Sequence, residues 1–277
     1  MPGTPAFAGA GKPGHDTGGG MPHPVLETRG LTIRFGGHVA VDAVSAAFQA
    51  GTLTAIVGPN GAGKTTYFNL ISGQLPASAG NVLLDGVDIT RLGAAARAKR
   101  GIGRAFQLTN LFPNLTVHEN VRLAVQSRAG GGANLLSLWN SRVDWIERAD
   151  QFIAAANLAD KRDTPAVALP HGDKRKLEVA IMMALEPHVF MFDEPTAGMS
   201  VDDVPVILDL IKALKGAGDK TILLVEHKMD VVKSLADRIV VLHNGRLVAD
   251  GEPAAVIGSA VVQEAYLGVA SKGAAHA

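Results

Sequence analysis

Three groups of residues in this sequence have the types and spacing to handle phosphate. The first is the run Gly58-Pro59-Asn60-Gly61-Ala62-Gly63-Lys64-Thr65-Thr66. Glycines at 58, 61 and 63 let the backbone curl tightly, so that successive N–H groups point inward at phosphate oxygens, and a helix starting near Lys64 adds the positive end of its dipole. Lys64 then brings a point charge to the β and γ phosphates. The Thr65 hydroxyl is placed to ligate Mg²⁺, which prefers oxygen ligands shared among protein, water and phosphates. The flanks have the strand-loop-helix context such a loop requires: Leu53 to Val57 is apolar, and Tyr67 to Ser72 reads as helix ending near Gly73. An ordinary glycine-rich turn would not hold Gly, Gly, Lys and Thr at all of these offsets. The chain is therefore expected to handle a nucleoside triphosphate, with Gly58, Asn60, Gly61, Ala62, Gly63, Lys64, Thr65 and Thr66 as its contacts.

The second group is Asp193-Glu194, which closes the apolar run Val189-Phe190-Met191-Phe192. A strand buried on both faces reads as continuous apolar sequence, and ligands gather beyond the carboxyl ends of such strands. There Asp193 would hold Mg²⁺ and Glu194 would orient or deprotonate the attacking water. An Asp-Glu pair in isolation is more often a solvated helix start, and it is the run before it that carries the catalytic reading. The third group repeats the pattern, with Thr221 to Val225 ending at Glu226-His227. Most lone histidines are structural or merely exposed; the position of His227 at a strand end lets it reach the γ phosphate and position water.

The elements that must carry these groups are legible from periodicity. From Val25 to Thr90 the pattern is strand-like, with Asp85-Gly86 as a hairpin turn between 82–84 and 87–89. From about Leu108 to Glu186 the period becomes helical: Ile146, Ala149, Ile153 and Ala156 share one face, as do Leu177, Ala180, Ile181, Ala184 and Leu185, and Gly130-Gly131-Gly132 marks a loop. Strands then alternate with helices, including one with Val204, Ile207, Leu208, Ile211 and Leu214, and Asn244-Gly245 turns a last hairpin between 239–242 and 247–249. This is an α/β core interrupted by a helical insertion.

Composition sets the limits. The 277 residues, 47% hydrophobic, suffice for a real core. With 26 basic and 26 acidic residues there is no electrostatic case for a nucleic-acid partner. Cysteine is absent, which excludes disulfides and thiolate metal sites and fits a reducing compartment. Seven Gly and three Pro among the first twenty residues read as a disordered tail over 1–24, with Met21 a second candidate start, and the stretch 269–277 reads as frayed. No apolar run approaches the roughly 20 residues that span a bilayer, so membrane association goes through a partner.

Taken together, these motifs resemble the ATP-binding subunit of an ABC transporter, and the match covers nearly everything from Val25 to Gly268. Its further signs are Gln107 in GIGRAFQLTNLFPNLTVHENV, LPHGDKRKLEVA from Leu169 to Ala180, FDEPTAGMS, and His227. The resemblance implies a P-loop NTPase (RecA-like) core with an N-terminal antiparallel β subdomain and an inserted α-helical subdomain at about 108–186, within one domain over 25–268. It implies that Gln107 senses Mg²⁺ and that Phe35, before Gly36-Gly37, stacks on adenine rather than joining the core. Two cassettes pair head to tail, so that Leu169, Pro170, His171, Gly172 and Asp173 of one close over ATP and Mg²⁺ held by the other. The wording LTIRFGGHVAVDAVS, LLVEHKMDVV and VVQEAYLG is similar to the ATPases of branched-chain amino-acid importers, with urea and short-chain amide importers as the alternative, toward which His171 and the AGM at 197–199 lean. The partners this implies are transmembrane permease subunits docked on the helical region, where Leu111, Phe112, Pro113 and Leu115 are candidates. A second ATPase chain, the same or related, and indirectly a periplasmic or extracellular solute-binding protein complete the set. The expected location is the cytoplasmic face of the inner membrane.

One departure bears on turnover. The family signature usually reads Leu-Ser-Gly-Gly-Gln, and here Pro170 stands for the serine, His171 for the first glycine and Asp173 for the glutamine. Proline has neither hydroxyl nor N–H, so a charge-assisted contact to the partner's γ phosphate is expected to be lost, and Asp173 at a helix start is expected to put negative charge where that phosphate approaches. A soluble ABC ATPase of DNA maintenance would carry long heptad arms or zinc-binding cysteines, which the chain lacks. A P-loop kinase or GTPase would lack the segment from Leu169 to Ala180.

Overall fold

The computed structural model describes residues 24–105, 111–130 and 143–267. The tails expected over 1–24 and 269–277 lie outside the described residues, Pro24 excepted, as do Gln107, Leu108, Gly131 and Gly132.

Two sheets make the frame. β1 (Leu26–Phe35), β2 (His38–Phe48), β4 (Ala79–Leu84) and β5 (Val87–Asp88) form an antiparallel sheet in the order β2-β1-β4-β5. The expected hairpin is there, with Asp85 and Gly86 both at positive φ, 49° and 75°, as a two-residue type I′ turn requires. The second sheet runs β10-β9-β3-β8-β7-β6, from β3 (Leu53–Val57), β6 (Ile102–Ala105), β7 (Val189–Asp193), β8 (Thr221–Val225), β9 (Arg238–His243) and β10 (Arg246–Gly251). All of its pairings are parallel except β9 with β10, which the Asn244-Gly245 turn joins at φ 49° and 76°.

The apolar runs of β3, β7 and β8 are buried at every position, because layers cover both faces. Phe190, Phe192, Ile222 and Leu224 point into a cluster with Leu177, Ile207 and Ile211. Val189, Met191, Leu223 and Val225 point the other way, onto Tyr67, Phe68 and Ile71. That alternation is the period-two geometry of a strand, and each such side chain contributes about 1.5–3 kcal/mol of burial. The second layer includes α1 (Lys64–Ser72), closed by Gly73 in the left-handed region. The first includes α6 (Val204–Gly216) and the helical part of the chain.

α2 (Ala94–Lys99) precedes β6, and the helical part contains α3 (Val117–Arg128), α4 (Val143–Ala155) and α5 (His171–Leu185). Thr116 and Glu119 form a reciprocal capping box on α3, worth about 1 kcal/mol. On α4, Ala149 and Ile153 are buried, followed by Ala156, while Ile146 is half-buried. The single stripe expected on α5 is corrected. Leu185 is 40% exposed, whereas Val179, Met182 and Met183 are as buried as Leu177 and Ala180. α5 packs against α3 and α4 on one side and β6 and α6 on the other, so it is an interior helix, and interior helices lose the one-sided pattern. Among the described residues, no helix is long and apolar enough to cross a membrane.

Candidate functional site

The sheet order sets the site. β3, β8 and β7 are neighbours, so their carboxyl ends bring together Gly58, Glu226-His227 and Asp193-Glu194, which are far apart in sequence. Between β3 and α1 the glycine-rich loop is held against the rest of the fold. A Cβ on Gly58 would lie 2.1 Å from the Leu242 carbonyl oxygen, and one on Gly63, at φ 95°, 2.5 Å from that of Ala40. No other residue type fits either position. Lys64 Nζ is buried and donates to the carbonyl oxygens of Gly58 at 2.7 Å and Pro59 at 2.9 Å. Burial lowers its pKa, opposed by the charges of Glu194 and Asp193.

The loop opens on a cleft of about 410 Å³ lined by Phe35, His38, Ala40, residues 60–66, Glu194 and His227. Phe35 is 50% exposed at the end of β1, available for stacking and not part of the core. His38, three residues on, shares the cleft and was not singled out by its sequence, where it is one lone histidine among nine. Asn60, Gly61, Ala62, Gly63, Thr65 and Thr66 all line the cleft, and Gly58 does not.

Glu194 follows β7 with φ 51°, a left-handed conformation that costs a non-glycine residue roughly 1–2 kcal/mol, and its N–H donates to the Val225 carbonyl at 2.9 Å. Its Oε1 lies 2.7 Å from His227 Nε2. The two side chains that sequence reading joined only through their strand ends are thus in contact. Behind them Glu226 is buried. It accepts from the Thr196 hydroxyl and from the backbone N–H groups of His227 at 2.7 Å and Lys228 at 3.2 Å, which ties the end of β8 to the segment after Glu194. Asp193 is also buried, and its Oδ2 accepts from Arg104 at 2.8 Å. Arg104 is a residue the sequence reading missed, although it stands only three positions before Gln107. Gln107 itself lies outside the described residues.

The oxygen donors suit Mg²⁺. A threonine hydroxyl and a single carboxylate are what that ion takes from protein when phosphates and water supply the rest. Among the described residues, no group of three or more His, Cys, Asp or Glu could hold a metal alone.

Leu169 to Asp173 are not among the residues lining this cleft. Leu169 is core. Pro170 is the N-cap of α5, without a side-chain cap bond, and His171 is exposed beside Gly198. Gly172 lies against Asp203: a Cβ there would be 2.6 Å from Asp203 Oδ2, so that carboxylate would have to shift to admit a side chain. The expectation for Asp173 is corrected. Its carboxylate is buried, ion-paired with Lys161 and with Lys176 at 3.1 Å, and Lys176 continues to Asp203 at 2.5 Å. Two lysines draw it inward, so it presents no negative charge at the helix start.

A glycine-rich loop after the central strand of a parallel sheet, with a lysine at the helix start and acids at a nearby strand end, defines a P-loop nucleoside triphosphatase. The ABC transporter family model matches residues 41–197, and the chain belongs to that family of ATP-binding, ATP-hydrolysing proteins. It is 36% identical to the high-affinity branched-chain amino acid transport ATP-binding protein BraF of Pseudomonas aeruginosa, over 90% of this chain and 100% of that one. It is 35% identical to LivG of Escherichia coli, of the same description, at the same coverage. The lipopolysaccharide export ATP-binding protein LptB of Escherichia coli is 31% identical, over 88% of this chain and 97% of that one. Among solved structures, the ADP conformation of an ATP-binding cassette of an ABC transporter superposes with a TM-score of 0.75 at 30% identity, covering 88% of this chain and 99% of that one.

Proposed function

We propose that the chain is the ATP-hydrolysing subunit of an importer for branched-chain amino acids, bound to the cytoplasmic face of the inner membrane through permease subunits. The observation that carries this is the match, at 35–36% identity over 90% of this chain and the whole of each relative, to two proteins described as branched-chain amino acid transport ATP-binding proteins. Phe35 stacks on adenine, and the N–H groups of 60–66 with Lys64 hold the phosphates. A γ phosphate offers Lys64 an opposite full charge, which the two loop carbonyls it now contacts do not. Thr65 and Asp193, with Gln107, would hold Mg²⁺, which neutralises charge on the β and γ phosphates. Glu194 takes the proton of the attacking water, and His227, already hydrogen-bonded to Oε1, holds that carboxylate toward the γ phosphate.

The second half of each site is supplied by another ATPase chain through Pro170, His171 and Gly172, a reading supported by the exposure of Pro170 and His171. The helical part, about 108–186, faces the permease. Of the candidates there, Phe112 and Pro113 are exposed, Leu111 and Leu115 half-buried, and Val167 joins them through its N–H to the Pro113 carbonyl at 2.8 Å. A solute-binding protein delivers the amino acid on the far side. Affinity purification of the chain from detergent-solubilised membranes tests this. A hydrophobic amino-acid permease should co-purify, and deleting the gene should abolish leucine uptake; co-purification with an unrelated permease and unimpaired leucine uptake would overturn the solute assignment.

A further inference from the structure

The two donors assigned to the metal stand on different elements, Thr65 on α1 and Asp193 at the end of β7, and one side chain bonds to both elements. Arg104, on β6, donates from one terminal nitrogen to Asp193 Oδ2 at 2.8 Å. From the other it donates to Asn69 Oδ1 at 2.6 Å and Ser72 Oγ at 2.9 Å, both on α1, and to Gln74 Oε1 just beyond at 3.1 Å. The guanidinium lies over the Phe68 ring, 5.5 Å from its centroid, and both charged side chains are 6% exposed.

If the task were only to glue α1 to the sheet, apolar side chains of the same volume would do it as well, since removing two charges from water offsets most of their attraction. The distinctive product of this pair is direction. A planar guanidinium anchored through one terminal nitrogen to three neutral oxygens, with the other on Asp193, has its orientation set by α1, and it fixes the direction from which the carboxylate is held. Among the described residues, every hydrogen bond to the Asp193 carboxylate falls on Oδ2 and none on Oδ1.

We propose that Arg104 is a positioning residue for the metal end of the site: it clamps Asp193 Oδ2, leaves Oδ1 for Mg²⁺, and fixes the helix that carries Thr65 at a set distance from that carboxylate. This rests on Asp193 serving the metal. Charge and position predict opposite signs. A cation beside a metal site repels the metal, so if Arg104 acted by charge alone its removal would tighten Mg²⁺ binding. If it acts by orienting the ligand, its removal weakens binding, on the order of 10- to 100-fold for a partner that holds a metal ligand.

The test uses the full chain and a fluorescent ATP analogue. ATP affinity is measured in EDTA, then the Mg²⁺ concentration that gives half of the metal-induced change is read for each variant. Asp193→Asn should raise that midpoint; if it does not, the metal role of Asp193 falls and this proposal with it. Arg104→Gln should raise it on the order of 10- to 100-fold with affinity in EDTA little changed, Arg104→Lys should fall between, and Arg104→Gln should add nothing to Asp193→Asn. A midpoint shifted by Asp193→Asn yet unchanged or lowered by Arg104→Gln overturns the positioning role alone. Should Arg104→Gln fail to fold, Arg104→Lys carries the same test, an unshifted midpoint refuting the proposal.

Discussion

Replacing Pro170 with serine should speed this ATPase. Pro170 is the N-cap of α5 at φ −56°, ψ 160°, a conformation serine adopts without strain. A serine oxygen there can accept from an N–H of the first turn, adding about 1 kcal/mol of helix stability. Losing proline's restriction of the unfolded chain costs about 0.4–1 kcal/mol. The two nearly cancel, so the melting temperature without nucleotide should barely move. The hydroxyl hydrogen is then free to donate to a γ phosphate held by the facing chain, a charge-assisted bond worth about 1.5–3 kcal/mol, or roughly 10- to 150-fold in an equilibrium or a rate. Asp173 is paired with Lys161 and Lys176, so the change restores a donor to the loop without a carboxylate opposing it. Two measurements follow: ATP turnover of Pro170→Ser, and ATP-dependent self-association of the same change in a Glu194→Gln background, where hydrolysis does not dissolve the dimer. Unchanged or slower turnover together with unchanged association would show that other donors compensate and refute the reasoning.

Glu194→Gln alone should cut steady-state ATP turnover by about 10²- to 10⁴-fold, the usual contribution of a general base, while nucleotide binding measured by fluorescence is kept. Lys176→Ala leaves the buried Asp173 and its neighbour Asp203 with one cation fewer, and should cost about 3 kcal/mol in urea unfolding. The carboxyl of Asp203 is held below its ordinary 3.8 by hydrogen bonds from Lys176 and then Ser200. It binds its proton less readily folded than unfolded, so its contribution is present above the unfolded value and is lost as pH falls through the lower, folded one. Asp203→Asn should flatten the acid limb of the stability profile below about pH 4, read by thermal melts in a pH series.

Some of the site could be read without coordinates because its chemistry is local. A phosphate loop is a backbone device, and glycines, lysine and threonine at set offsets specify it within nine residues; a strand ending in Asp-Glu announces both its burial and its edge. The tight turns at Asp85-Gly86 and Asn244-Gly245 were likewise legible, since few residue types accept their positive φ. Phe35 was legible by position and became a cleft residue once its exposure was known. α5 was misread because periodicity reports one buried face, and this helix is covered on two sides.

By itself, then, the order of residues determined the class of ligand, the strands that end at it and the side chains of its local motifs, each of which depends on neighbours within a few positions. Tertiary structure alone decided which of those ends meet. The order β3-β8-β7 sets Glu194 against His227, 33 positions apart. Arg104 finds Asp193 across 89 positions, and two lysines turn Asp173 away from the surface where sequence had put it. The reason is that burial and charge pairing are settled by what the fold brings alongside, and no local spacing records that.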